Sequence, residues 1–124
     1  MLKSLTLTGV GPADTIGPVE FASRLNVITG DNGLGKSFLL DMAWWVLTRT
    51  WAREMPAVPA KGKTKSSIAY TYSKSTRGDF SEISLFKRDE QLWPLKPGRP
   101  AIAGMVIYAG VDGSFSVWDP ARNY

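Results

Sequence analysis

Leu25-Asn26-Val27-Ile28-Thr29-Gly30-Asp31-Asn32-Gly33-Leu34-Gly35-Lys36-Ser37 is the stretch on which the reading of this chain turns. From Gly30 to Ser37 it satisfies the pattern G-x-x-x-x-G-K-[ST] at every fixed position. The residues before it, Leu25 to Thr29, are apolar with β-branched character, which predicts a short buried strand. The residues after it, Ser37 to Leu47, are apolar and long enough for a helix, interrupted by Asp41. Strand, glycine-rich loop and helix form the context that this pattern needs before it carries chemistry.

That chemistry follows from the residue types. Gly30, Gly33 and Gly35 let the backbone turn tightly and approach phosphate oxygens where a Cβ would intrude. The loop amides, those of Asn32 and Leu34 among them, are then expected to converge into an anion-binding nest, reinforced by the positive end of the helix dipole. Lys36 is placed to reach the β- and γ-phosphates, and the Ser37 hydroxyl to complete the coordination of Mg²⁺. Asp31 would repel phosphate and is expected to face solvent or a partner. Binding of a nucleoside triphosphate is the firmest functional expectation.

Length and composition bound the rest. A chain of 124 residues predicts one domain, small for a complete ATPase, and a composition 44% hydrophobic and 21% charged is that of a folded protein. No apolar run approaches the roughly 20 residues of a membrane span, and the N-terminus lacks the features of a secretory signal. A cytoplasmic location without a membrane partner is therefore expected. Cysteine and histidine are both absent. Any metal must then be held by oxygen, in keeping with nucleotide-bound Mg²⁺.

The net charge of +4 is unevenly spread. Residues 53–100 carry 10 basic and 5 acidic side chains, whereas residues 1–52 carry 4 of each. Lys61, Lys63, Lys65, Lys74 and Arg77 make up much of the excess and make DNA a possible partner, although a solvated loop accounts for so short a cluster.

Along the chain, Leu2–Thr8 and Pro18–Phe21 read as strands ahead of the Leu25–Thr29 strand. The helix is expected from Lys36 to about Trp51, barred from continuing by Pro56 and Pro59. Trp44, Trp45 and Trp51 recur at spacings typical of a core rather than of base-stacking platforms. Residues 53–66, rich in proline and lysine, read as a linker. Beyond it, Ile68–Tyr72, Ile83–Lys87 and Gln91–Leu95 read as strands, and Met105–Ala109 with Phe115–Trp118 as a hairpin about Asp112-Gly113. The predicted class is α/β (α+β). A nucleotide half with a strand–P-loop–helix core (1–52) is followed by the linker (53–66) and an antiparallel β subdomain (67–124).

This order resembles the N-terminal lobe of an ABC-type P-loop ATPase of the SMC/RecF-like (AAA-family ATPase) branch. The resemblance rests on the opening strands and on Asn26 to Ser37. Asn26 and Asn32 sit where that branch's "h-N-h-h-x-G-x-N-G-x-G-K-S" has its asparagines. It implies Mg-ATP as ligand, Asn32, Gly33, Gly35, Lys36 and Ser37 as phosphate and Mg²⁺ contacts, and two heads that sandwich nucleotide between them. The branch commonly serves DNA repair, chromosome handling or phage defence.

The chain departs from the pattern after its first helix. It has no recognisable glutamine loop, signature sequence, Walker B run or switch histidine. The expectation is thus a truncated or split head that binds ATP, cannot hydrolyse it alone, and partners the missing C-terminal half or a second head. Two other readings stay open. A compact, self-sufficient P-loop NTPase or kinase would use Asp112 as its Mg²⁺ acid, although a hairpin tip explains Asp112 equally simply. A non-enzymatic interaction module would carry the loop as a vestige.

Overall fold

Leu5 and Leu7, two residues apart on the opening strand, point to one side and are fully buried, which sets the inner face of the main sheet. The computed structural model describes residues 1–12, 14–30, 35–62, 65–74, 77–95 and 104–123. Within these, β1 (Leu2–Thr8), β2 (Thr15–Glu20), β3 (Ser67–Lys74) and β4 (Gly78–Leu85) form one antiparallel sheet in the order β2-β1-β3-β4. A separate hairpin pairs β5 (Val106–Ala109) with β6 (Phe115–Trp118), and helix α1 (Lys36–Thr48) is packed between sheet and hairpin. A single 3-10 turn (Ala52–Glu54) and a short closing helix α2 (Pro120–Asn123) complete the elements. The chain is thus mixed α/β, mostly antiparallel strands with few helices.

Register explains the core. Leu5 lies opposite Tyr70 and Leu7 opposite Ile68, and these in turn face Glu82 and Ser84 on β4. The shared inner face meets Leu39, Met42, Trp45 and Val46 of α1. Pro18 sits on β2, the edge strand, where a missing N–H breaks no ladder between central strands. Gly17 occupies the irregularity between Leu5 and Leu7. A Cβ there would lie 2.6 Å from the Leu5 carbonyl oxygen, so only glycine fits.

Three expectations from sequence are corrected by the structure. Leu25–Thr29 is not a strand. The chain leaves the sheet after Phe21 N–H donates to the Lys3 carbonyl, and Asn26 then ties both backbone groups of Ala22 with its side-chain amide. Leu25 and Val27 are 77% and 76% exposed, and Ile28 packs against the core. An apolar run becomes a strand only where a neighbouring strand supplies its hydrogen bonds, and none of the described strands pairs with it.

Gln91–Leu95 is likewise no strand. A lone bridge joins Lys87 and Leu92, Gln91 is left-handed (φ 53), and Pro94 lacks a donor. Trp93 turns inward instead, and its indole N–H donates to the buried Ala57 carbonyl at 2.9 Å. Helix α1 stops at Thr48 rather than near Trp51. Arg49 turns left-handed while its N–H still reaches the Trp45 carbonyl at 2.7 Å, and the Thr48 hydroxyl donates to the Trp44 carbonyl at 2.8 Å. These bonds satisfy the helix end and free Trp51 to fold back and stack on Trp45, ring centroids 5.2 Å apart.

The described residues of the stretch 53–66 are tied to the sheet. Ala57 is buried, Val10 bridges Pro59, and Gly9 O accepts from both Ala60 N–H and the Ser66 hydroxyl at 2.8 Å. Because β1 pairs with β2 on one side and β3 on the other, the opening residues and those beyond 66 share a sheet. The hairpin about Asp112-Gly113 forms as its turn signal predicts, Val106 pairing with Trp118 and Ala109 with Phe115.

Candidate nucleotide-binding loop

The loop residues that are described converge at the N-terminus of α1. Gly35 caps the helix in a left-handed conformation (φ 97), which glycine adopts without strain, and Leu39 N–H makes the first helical bond to its carbonyl at 2.9 Å. Behind it stands the β1–β2 connection. A Cβ on Gly35 would approach Pro12 Cγ at 3.1 Å, and one on Gly11 would run into the Phe38 ring. The helix start is therefore seated against the β1–β2 connection by two close approaches, both at glycines with positive φ.

Lys36 reaches back to the start of the motif. Its ammonium donates to the carbonyl of Gly30, the residue at the other end of the motif, itself at φ 150. Ser37 lies exposed on the first turn, and helix geometry leaves the first-turn N–H groups without partners inside the helix. The arrangement thus brings together a cation, outward amides and a hydroxyl at the positive end of a 13-residue helix, a setting suited to an anion. Asp31, Asn32, Gly33 and Leu34 lie outside the described residues.

Among the described residues no group of three acidic side chains is placed to hold a metal. Asp112 sits at the tip of the β5–β6 hairpin, where its carboxylate accepts from the Ser114 N–H at 3.1 Å and hydroxyl at 2.6 Å. Those bonds hold its carboxyl below the usual range and commit it to shaping the turn.

The basic residues of the middle third are not brought together. Lys61 and Lys65 lie beside the start of β3 and Arg77 beside its far end, across an eight-residue strand of roughly 25 Å. Lys74 ends that strand, and Lys63 lies outside the described residues.

One cluster was not evident from the sequence. Asp41, a turn beyond Ser37 on α1, accepts from the Arg53 guanidinium at 3.3 and 3.4 Å and from the Tyr108 hydroxyl. Burial, with the Asp41 carboxylate beside it, pushes the Tyr108 hydroxyl up to about 12. The one legible signal was an acid in an otherwise apolar helix. Arg53 reaches it by adopting a left-handed backbone (φ 55), which no local pattern announces. At the opposite end of the helix, Tyr70 donates to Glu82 at 2.6 Å, and burial foremost raises its pKa too.

The three tryptophans of the helix region behave as core. Trp44 and Trp45 are buried, and Trp44 meets Tyr108 edge-on with centroids 6.2 Å apart. Among the described residues, no helix is long and apolar enough to cross a membrane. No protein family, curated protein or solved structure matches this chain.

Proposed function

We propose that the chain binds Mg-ATP through the loop Gly30–Ser37, as the N-terminal lobe of an SMC/RecF-like ABC-type ATPase. The observation that carries this reading is the junction of loop and helix. A left-handed Gly35 opens α1, and the Lys36 ammonium folds back onto the carbonyl of Gly30. A lysine parked on a carbonyl at the loop mouth exchanges a neutral acceptor for a charged one when phosphate enters. Hydrogen bonds between charged partners are the stronger kind.

The roles divide by chemistry. Gly35 and the loop glycines keep the backbone clear of the ligand, the first-turn amides hold phosphate oxygens, and Lys36 neutralises the β- and γ-phosphates. Ser37 offers a single exposed oxygen, which fits a hard cation whose remaining ligands are phosphate and water. Mg²⁺ bound there would supply charge neutralisation across the phosphates. No residue in the described part stands out as a general base, so the lobe is assigned binding rather than turnover.

Helix α1 supports the idea that a further half completes the site. Leu39, Met42 and Val46 face the sheet, yet Leu40, Ala43 and Leu47 on the other side line an open apolar groove. Leu25–Thr29, largely apolar and paired with none of the described strands, is the natural first strand of a layer supplied by that half.

Calorimetric titration with Mg-ATP, with Lys36→Ala in parallel, tests the reading. The wild type is expected to bind, and the variant to lose roughly 10- to 100-fold in affinity, the worth of one charge-assisted contact. Equal binding by both proteins, or none by the wild type, removes it.

A further inference from the structure

The outer face of the β5–β6 hairpin is the surface least reconciled with water. Met105, Ile107, Phe115 and Val117 are 65, 58, 70 and 57% exposed. Ile107 pairs directly with Val117, and Phe115 with Ala109, so these side chains stand on one face. The opposite face is apolar as well, with Val106, Tyr108 and Trp118 packed around Trp44. Neither strand carries a charged residue. A hairpin that needs a single buried face has been given two.

We propose that this outer face is a self-association surface, covered by the same face of a second copy about a two-fold axis. A two-fold axis sets a patch against itself, so the patch must tolerate its own chemistry. An uncharged apolar patch does, whereas a charged one would repel its copy. The area also suffices. More than half of each of four large side chains is free, which with their neighbours gives roughly 1,000–1,400 Å² over two copies, at the small end of specific interfaces and above the roughly 1,000 Å² that one should clear. Two such faces stack as sheets do, about 10 Å apart with interleaved side chains.

The surface contains none of Gly30, Gly35, Lys36 and Ser37, so the association holds whether or not the loop takes nucleotide. Sedimentation equilibrium of the full chain without nucleotide, from about 1 to about 200 μM, is the test. The mass is expected to rise from 13.6 kDa towards twice that value. Ile107→Lys and Phe115→Lys should each weaken the dimer at least about tenfold while leaving the far-ultraviolet circular dichroism of dilute protein unchanged. Should lysine disturb the hairpin itself, Val117→Thr keeps a β-branched residue on the strand and is expected to weaken the dimer in the same direction. A wild type that stays monomeric throughout, a dimer indifferent to all three substitutions, or one that forms only with Mg-ATP overturns the proposal. Lys36→Ala should dimerise like wild type, which separates this surface from the nucleotide reading.

Discussion

The four-stranded sheet and the β5–β6 hairpin are both antiparallel, and each lays one apolar face against α1, yet they treat the other face in opposite ways. On the sheet, Ser4, Thr6, Thr71 and Ser81 share the outward side with Ile83 and Leu85, a mixture in which hydroxyls dominate. Thr71 and Ser81 even join across the strands at 2.8 Å. On the hairpin, Met105, Ile107, Phe115 and Val117 leave no such concession. The sheet is finished towards solvent. The hairpin leaves its outer face apolar.

The comparison can be broken most forcefully at Trp118, which is buried against Trp44 and Ala52. Trp118→Ala is expected to cost about 3–5 kcal/mol in denaturant unfolding if hairpin and sheet melt together through α1. A hairpin that melts alone would leave the main transition unmoved and show the two as separate cooperative units. Next comes Ile68→Ala at the centre of the sheet core, with an expected loss of about 2–5 kcal/mol from the lost burial and the cavity left behind. A loss below that of Ile83→Ala, on the open face, would mean that the inner and outer sides have been assigned wrongly.

A smaller effect sharpens how the hairpin is tied to the helix. The Tyr108 hydroxyl is raised to about 12 from an ordinary 10.0. The folded form therefore holds this proton more tightly than the unfolded chain. Its contribution is complete below about pH 10 and is lost as pH climbs towards 12. Thermal melts of wild type should fall over that window, and Tyr108→Phe should remove part of the fall, at a cost of about 1 kcal/mol at neutral pH. A variant whose high-pH decline matches wild type would detach Tyr108 from Asp41. Smallest of all is Ile83→Thr on the sheet's outer face, expected within about 0.5 kcal/mol of wild type. The matching change on the hairpin, Val117→Thr, should instead register in association.

Much of this was legible in local pattern. β1, β3 and the hairpin follow from alternation and turn chemistry, whereas β4 runs Gly78–Leu85 rather than the expected Ile83–Lys87, and Lys36 opens its helix directly after the glycine-rich loop. The misses share a cause. Leu25–Thr29 has the composition of a buried strand, but pairing belongs to the neighbour as much as to the strand. Gln91–Leu95 alternates as a strand should, while a left-handed Gln91 and Pro94 deny it a ladder. Arg49 and Arg53, two non-glycine residues with positive φ, are held there by hydrogen bonds that exist once the helix and its surroundings have assembled.

By itself, the sequence determined what is local: the spacing of Gly30, Gly35, Lys36 and Ser37, the α1 helix, the Asp112-Gly113 turn and the alternation that gives each strand its faces. These depend on backbone freedom and side-chain periodicity within a few residues. Tertiary structure decided that the opening strand pairs across residue 66 with β3, that Asp41 meets Arg53 and Tyr108, and that Lys61 and Arg77 lie at opposite ends of a strand. Those outcomes depend on which surfaces meet in space, and burial energy follows area brought together rather than order along the chain.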